Sequence, residues 1–347
     1  FFSRNVFRRL GSKPVELNKN LIKRSVADMN TFLQSKGVFN AKITDSLAPV
    51  RRPYAPWSDY KRRKKVIYKV EIPSRYKINE FNISSEDSVI KAKVENILSD
   101  SPILSGDYYD EEVLGQLRST INNNLRQNGY YAFSEKYISF LIDTNLNSNS
   151  LNIDLQIANP FSRQNDTIVK STHKPYKIRN IFVYPDYYPV TSAYHKPITD
   201  TVRYFHKPHK NIRLSRFDFI QSEYNSIKPK PIMRSILLQN GDLFSPLIAQ
   251  NTRSALSQLK NFKFIDISFT PDNNSTADTL PLDCLIRLSI AKPINLTTSF
   301  EMNFSAVNNS INLQQSSSLG SEINIGFSHN NLFKGAEIFS TNIKTAA

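Results

Sequence analysis

The sequence predicts an α+β chain: tandem modules of strand, helix, helix, strand and strand, followed by antiparallel strands with alternating faces. Three observations predict it. One sentence of sequence recurs, as "SGDYYDEEVLGQLRSTINNNLRQNGYYAF" at 105–133 and "NGDLFSPLIAQNTRSALSQLKNFKFIDI" at 240–267, with a partial copy "LNKNLIKRSVADMNTFLQSKGVFNAKI" at 17–43. Each copy is followed by two strand patterns. After the last copy the periodicity changes to strict alternation, in "SFEMNFSA" from Ser299.

The elements follow in order. In the first copy Ile22, Val26, Met29 and Leu33 recur at helical spacing, and Gly37 ends the run. "VFNAKITDSL" and "KKVIYKVEI" then read as strands, separated by a long loop at 48–63. The middle copy is preceded by a strand, "YKINEFNIS", and a shorter helix, "VIKAKVENILSD". Its own helix has the stripe Val113, Leu117, Ile121, Leu125, with Asp110, Glu111 and Glu112 at the positive end of the macrodipole. Gly129 supplies the left-handed stop, and "YYAFSEKYISFLID" and "SLNIDLQIAN" are the next strands.

The last copy is preceded by "YKIRNIFVYP" and "KPIMRSILLQ". Ser245 is the predicted N-cap and Pro246 the first helical residue. Ile248, Thr252, Ala255 and Leu259 form the stripe, and Asn261 stands for the terminal glycine, since Asn tolerates the left-handed region. "FKFIDISFTP" and "LDCLIRLSIAK" close the module. An insertion at 186–228, rich in Tyr, His, Pro and Lys, interrupts it and is too polar to be a core of its own. A short sheet with two helices on one face suits a small domain of about 75 to 90 residues.

Beyond the last module, Phe300, Met302, Phe304 and Ala306 share one face, and Ser299, Glu301, Asn303 and Ser305 the other. "LGSEINIGFSHN" and "AEIFSTNIKTA" continue the pattern. The link "AVNNSINLQQSSS" is long and polar, and "HNNLFKG" is short. Long loops at one end and tight turns at the other are the habit of outer-membrane barrels.

Composition narrows the function. The 347 residues carry a net charge of +15, of which about thirteen charges precede Tyr76, including "KRRKK" at 61–65. That surface reads as a solvated strand and loop face or one turned to an anionic membrane. A nucleic-acid surface lacks any accompanying motif. No apolar run is long enough for a transmembrane helix. The lone Cys284 cannot form an intrachain disulfide and reads as a buried small hydrophobe in "LDCLIRLSI". Walker, dinucleotide and nucleophile-elbow motifs are lacking, so neither catalysis nor a cofactor is expected. His206 and His209 in "FHKPHK" lack an acidic or cysteine partner nearby, and no metal site is expected. Asn-x-Ser/Thr sequons such as that at Asn274 arise by chance in an Asn- and Ser-rich chain.

The module order, with the glycine-aromatic step after the second helix, resembles the POTRA (polypeptide-transport-associated) domain. With the strands that follow, the chain resembles the BamA/TamA outer-membrane assembly family, and most nearly its TamL branch of Bacteroidota lipoproteins. The residues that carry the resemblance are "LGSKPV" at 10–15, "FLQSKGVF", "LRQNGYYAF", "SFLIDT" at 139–144, "SALSQLKNFKFIDISF", "LDCLIRLSIAKP" and above all "NNLFKGAE" at 330–337.

The resemblance implies a partial POTRA domain at 1–72, POTRA domains at 73–160 and 172–293, and the first strands of a truncated transmembrane barrel at 294–347. The family's lipoprotein cysteine, the first half of its N-terminal module and its late-barrel loop with an Arg-Gly-aromatic motif have no counterpart here. The implied location is the bacterial outer membrane, with the POTRA domains in the periplasm. The implied partners are unfolded outer-membrane clients, a TamB-like protein and outer-membrane lipid, with no nucleic acid. The implied site is the first barrel strand, with Ser299, Phe300, Glu301, Met302, Asn303, Phe304 and Ser305 as the client-pairing edge. Two alternatives stand beside it. A two-partner-secretion pore also joins POTRA domains to a barrel, but the third module argues against it. A soluble basic nucleic-acid-binding protein would show steeply salt-dependent binding.

Overall fold

The computed structural model describes residues 17–49, 64–99, 105–144, 149–164, 167–187, 200–207, 214–221, 227–272, 277–307 and 316–346. Outside the described residues lie the motif at 10–15, the loop at 50–63 with the first part of the basic run, and much of the 186–228 insertion with His209. Asn274 and most of the long polar link after Val307 also lie outside them. The chain divides into two compact units, Phe1–Asn122 with Ser134–Thr172, and Asn123–Phe133 with His173–Ala347.

In the first unit, α1 (Lys19–Ser35) precedes an antiparallel hairpin of β1 (Lys42–Pro49) and β2 (Lys64–Glu71). Asn18 caps α1, its Oδ1 accepting from Asn20 N at 2.9 Å. Of the predicted stripe Ile22 is buried, whereas Val26, Met29 and Leu33 are half-buried. The next module runs β3 (Lys77–Ser85), α2 (Ser88–Ser99), α3 (Glu111–Gln127), a one-turn 3-10 helix (Glu135–Tyr137), β4 (Ile138–Asp143) and β5 (Ser150–Ile157). Its sheet order is β3-β5-β4, with β5 parallel to β3 and antiparallel to β4. This is the strand-helix-helix-strand-strand order that the sequence predicts.

Leu117, Ile121 and Leu125 line the buried face of α3, each burial contributing about 1.5–3 kcal/mol. At the first turn Leu114, not Val113, is the buried residue, because it lies one turn before Leu117 and two turns before Ile121 on the inner face. β6 (Phe161–Gln164) and β7 (Thr167–Lys170) follow as a small antiparallel ribbon.

In the second unit, β8 (Tyr176–Tyr184), α4 (Pro229–Ser235), α5 (Pro246–Gln258), β11 (Phe262–Pro271) and β12 (Leu280–Ile290) repeat the module. Ser245 caps α5 through Ile248 N, and Pro246 occupies its first turn, as predicted. Thr252 and Leu256 are its fully buried residues, Leu256 taking the place that the stripe assigned to Ala255. Cys284 is buried, and desolvation raises its thiol pKa, so it stays protonated.

The insertion is where the structure departs most from the sequence reading. Its strands β9 (Asp200–His206) and β10 (Ser215–Gln221) form an antiparallel hairpin that extends the sheet to the order β11-β12-β8-β10-β9. Phe217 and Phe219 are each 1% exposed and belong to the module's core with Ile181, Val183 and Leu256. Alternation is the reason: Arg216 and Asp218 alternate with Phe217 and Phe219, so the composition hides a buried face.

β13 (Ile294–Val307), β14 (Ser316–Asn330) and β15 (Ile338–Ala346) close the chain as an antiparallel meander in that order. β13 begins at Ile294, five residues before the alternating stretch "SFEMNFSA".

Candidate strand-pairing edge and module joints

The recurring sentence writes a joint. Gly106 and Asp107 run beside the start of β3: Ile78 N donates to Asp107 O (2.8 Å), Gly106 N to Ile78 O (2.7 Å) and Tyr109 N to Tyr76 O (3.0 Å). The last copy repeats this, with Ile178 N to Asp242 O (2.9 Å), Gly241 N to Ile178 O (2.7 Å) and Phe244 N to Tyr176 O (2.9 Å). Two aromatics thereby stand side by side at the mouth of each module.

The glycine-aromatic step docks against them. Gly37 has φ +80° and its carbonyl accepts from Tyr76 N at 2.9 Å, while the Phe39 ring lies 5.1 Å from Tyr76 and 5.7 Å from Tyr109. Gly129 has φ +98° and its carbonyl accepts from Tyr176 N at 2.8 Å. The Tyr131 ring lies 5.6 Å from Tyr176 and 4.9 Å from Phe244, within the range where edge-to-face pairs attract. Both glycines lie two residues past their helix. In α5 that place is held by Lys260, which has φ +54°, and not by Asn261. Asn261 is buried, its side chain donating to Leu259 O (2.7 Å) and its carbonyl accepting from Ala291 N (2.9 Å).

A charged clasp reinforces the first joint. Arg75 donates to Lys36 O (2.6 Å) and Tyr109 O (3.0 Å), and Lys36 Nζ donates to Asp110 (2.9 Å) and Glu112 (3.0 Å). Hydrogen bonds to Asp110 and Glu112 raise the pKa of Lys36. Desolvation would raise that of Asp110, but the bonds from Lys36 and from Glu112 N outweigh it and hold the carboxyl low. Sequence reading assigned Asp110 to the helix dipole alone; its partner lies 74 residues away.

The third joint leads into the meander. Lys260 O, the counterpart of the two glycine carbonyls, accepts from Asn330 Nδ2 at 3.3 Å, and Asn330 N donates to Pro293 O at 2.7 Å. The "NNLFKGAE" turn is built around two side chains. Glu337 accepts from Phe333 N and from Gly335 N (2.8 Å), and Asn331 Oδ1 accepts from Ala336 N (3.2 Å). The bond from Phe333 N leads in lowering the Glu337 pKa. Lys334 O accepts from Lys228 N at 2.8 Å, and Ala336 packs on the core of the last module.

Register separates the meander's faces. Phe300 opposes Ile323, Leu296 opposes Phe327, and Ile325 lies between Thr298 and Ile343. Phe300 and Met302 are each 62% exposed, an apolar face that water alone does not explain. On the other face Ser299 opposes Asn324, Glu301 opposes Glu322, and Lys344 bridges to Glu322 at 3.2 Å.

Of the remaining predicted site residues, Met302 opposes Ser321, Asn303 opposes Gly320, Phe304 opposes Leu319 and Ser305 opposes Ser318. All seven, from Ser299 to Ser305, therefore lie together on β13, an edge strand of its sheet. Among the described residues β13 pairs with β14 alone. No group of metal-ligating side chains occurs among the described residues. His206 lies in β9.

These features define a class: tandem α+β modules of strand-helix-helix-strand-strand order leading into an amphipathic antiparallel meander. Neither a scan against family models nor a search of curated proteins returns a match. Among solved structures, the chain is similar to POTRA domains 3–5 of BamA from Haemophilus influenzae, with 11% identity, a TM-score of 0.37, and coverage of 80% of this chain and 84% of that one. It is similar to BamA from Haemophilus ducreyi lacking POTRA domains 1–3, at 12% identity and TM-score 0.40, covering 78% of this chain and 43% of that one. CdiB from Acinetobacter baumannii aligns at 14% identity and TM-score 0.32, over 96% of this chain and 48% of that one. The chain thus spans less than half of the last two proteins.

Proposed function

We propose that the chain is the periplasmic scaffold and barrel start of a TamL-like factor that assembles or inserts outer-membrane proteins. The carrying observation is the meander: long strands whose register puts apolar residues on one face and polar residues on the other, joined to the last of a series of modules. A membrane strand needs about 9–11 residues, and β13, β14 and β15 have 14, 15 and 9. The apolar face suits lipid and the polar face a wet lumen. The modules act by lending edge strands to extended clients or by anchoring a TamB-like partner, which needs no covalent chemistry. β13 is the edge on which a client strand is templated.

The test is crosslinking in the protein in its native membrane after Cys284→Ala. Cysteines in place of Ser299, Asn303 and Ser305 are expected to trap the terminal strand of a stalled client in one register. Crosslinks confined to the protein's own strands under client load would overturn the assignment of β13.

A further inference from the structure

We propose that the outer edge of β3, at Phe81–Ser85, is a strand-binding site for an extended segment with two aromatic residues flanking one polar residue. The last module displays the occupied form of the same site. β3 and β8 are structural counterparts: Ile78 bonds Gly106 and Asp107 as Ile178 bonds Gly241 and Asp242. Each strand carries one extra residue just past that isoleucine in its parallel pairing, with β5 in one case and β12 in the other. Phe81 and Ile83 of β3 therefore correspond to Ile181 and Val183 of β8.

On β8 this edge is filled by the chain itself. β10 pairs parallel to it, with Asp218 opposite Phe182 and Phe219 opposite Val183. Phe217 and Phe219 turn inward and complete the core over Ile181 and Val183, both of which are buried. Asp218 lies on the other face of the strand, buried beneath Arg216 and Arg203, whose Nε donates to it at 2.8 Å. On β3 the inward residues Phe81 and Ile83 are only half-buried, and among the described residues no strand pairs with the outer side of Phe81–Ser85. Among the described residues, backbone groups without a strand partner and half-covered apolar side chains coincide at the place that β10 covers in the other module. β10 thus shows the chemistry that the open edge accepts: a parallel strand, aromatic residues inward, a polar residue on the other face.

This inference rests on the strand-addition reading of the modules, but not on a membrane role for β13. Its probe is a synthetic peptide with the sequence of Ser215–Gln221 and Asp218→Cys. The full chain carries Cys284→Ala and either Asn82→Cys, the exposed counterpart of Phe182, or Leu141→Cys on the opposite edge strand β4. The peptide cysteine is supplied as its 2-thiopyridyl disulfide, so that the protein thiolate attacks the peptide sulfur and pyridine-2-thione leaves; this exchange is expected to be at least tenfold faster at position 82 than at position 141. Replacing both peptide phenylalanines by serine is expected to slow the reaction at 82 at least tenfold. Equal or faster reaction at 141, or a rate at 82 indifferent to the phenylalanines, overturns the site. The β13 crosslinks succeed or fail separately, so the two outcomes remain distinguishable.

Discussion

Gly129 and Lys36 carry the joints at the level of single residues. Gly129 sits at φ +98°, and a Cβ there would also approach Leu243 Cδ2 to 3.0 Å. Leu243 can move, but the backbone cannot, so Gly129→Val is expected to lower stability by about 1 kcal/mol or more, read by urea denaturation. Unchanged unfolding would remove the argument. The clasp predicts a pH signature. Asp110 is held low, so its contribution is complete above its unfolded pKa near about 4 and is lost as pH falls through the lower folded value. Lys36 is held high, so its contribution is complete below its unfolded pKa of about 10.4 and is lost as pH rises through the higher folded value. The melting-temperature difference between the wild type and Lys36→Met should be flat between about pH 5 and 9 and vanish in strong acid. A difference that persists in strong acid would place the effect of Lys36 in packing rather than in charge.

The insertion hairpin is the element whose role changes most between sequence and structure. A polar surface loop would tolerate substitution within about 0.5 kcal/mol. Phe217 and Phe219 instead close the core of the last module. Phe217→Ala and Phe219→Ala are each expected to cost about 3–5 kcal/mol in chemical denaturation, because truncation leaves a cavity that a sheet cannot collapse to fill. Loop-like values would mean that the hairpin lies against the sheet without belonging to it. The short turn at 331–337 was legible as a motif, "NNLFKGAE", but not as a mechanism. Glu337 and Asn331 collect its backbone donors, and Asn330 ties it to the carbonyl that ends α5.

For the molecule as a whole, the question is what the meander can do unaided. Among the described residues, three strands leave β13 and β15 each with one unpaired side. Unpaired backbone groups cost several kcal/mol apiece in hydrocarbon, so open sheets do not span bilayers. The 347-residue chain alone is therefore expected to leave β15 open to protease added outside lipid vesicles. Full protection of β15 would show that the strands close by self-association.

Much of this was written in local pattern. The module order, the helix starts at Ser245 and Pro246, the left-handed glycines and the alternating last strands all depend on neighbours a few residues apart, and short-range sterics and periodicity read them correctly. The buried leucine at the start of α3, the left-handed Lys260, the clasp between Lys36 and Asp110 and the closure of β8 by β10 were not legible. Each depends on which surface comes to lie opposite, and that is decided by contacts between residues far apart in the chain. A two-residue alternation states that a strand has two faces; only the packed sheet decides which of them is covered, and by what.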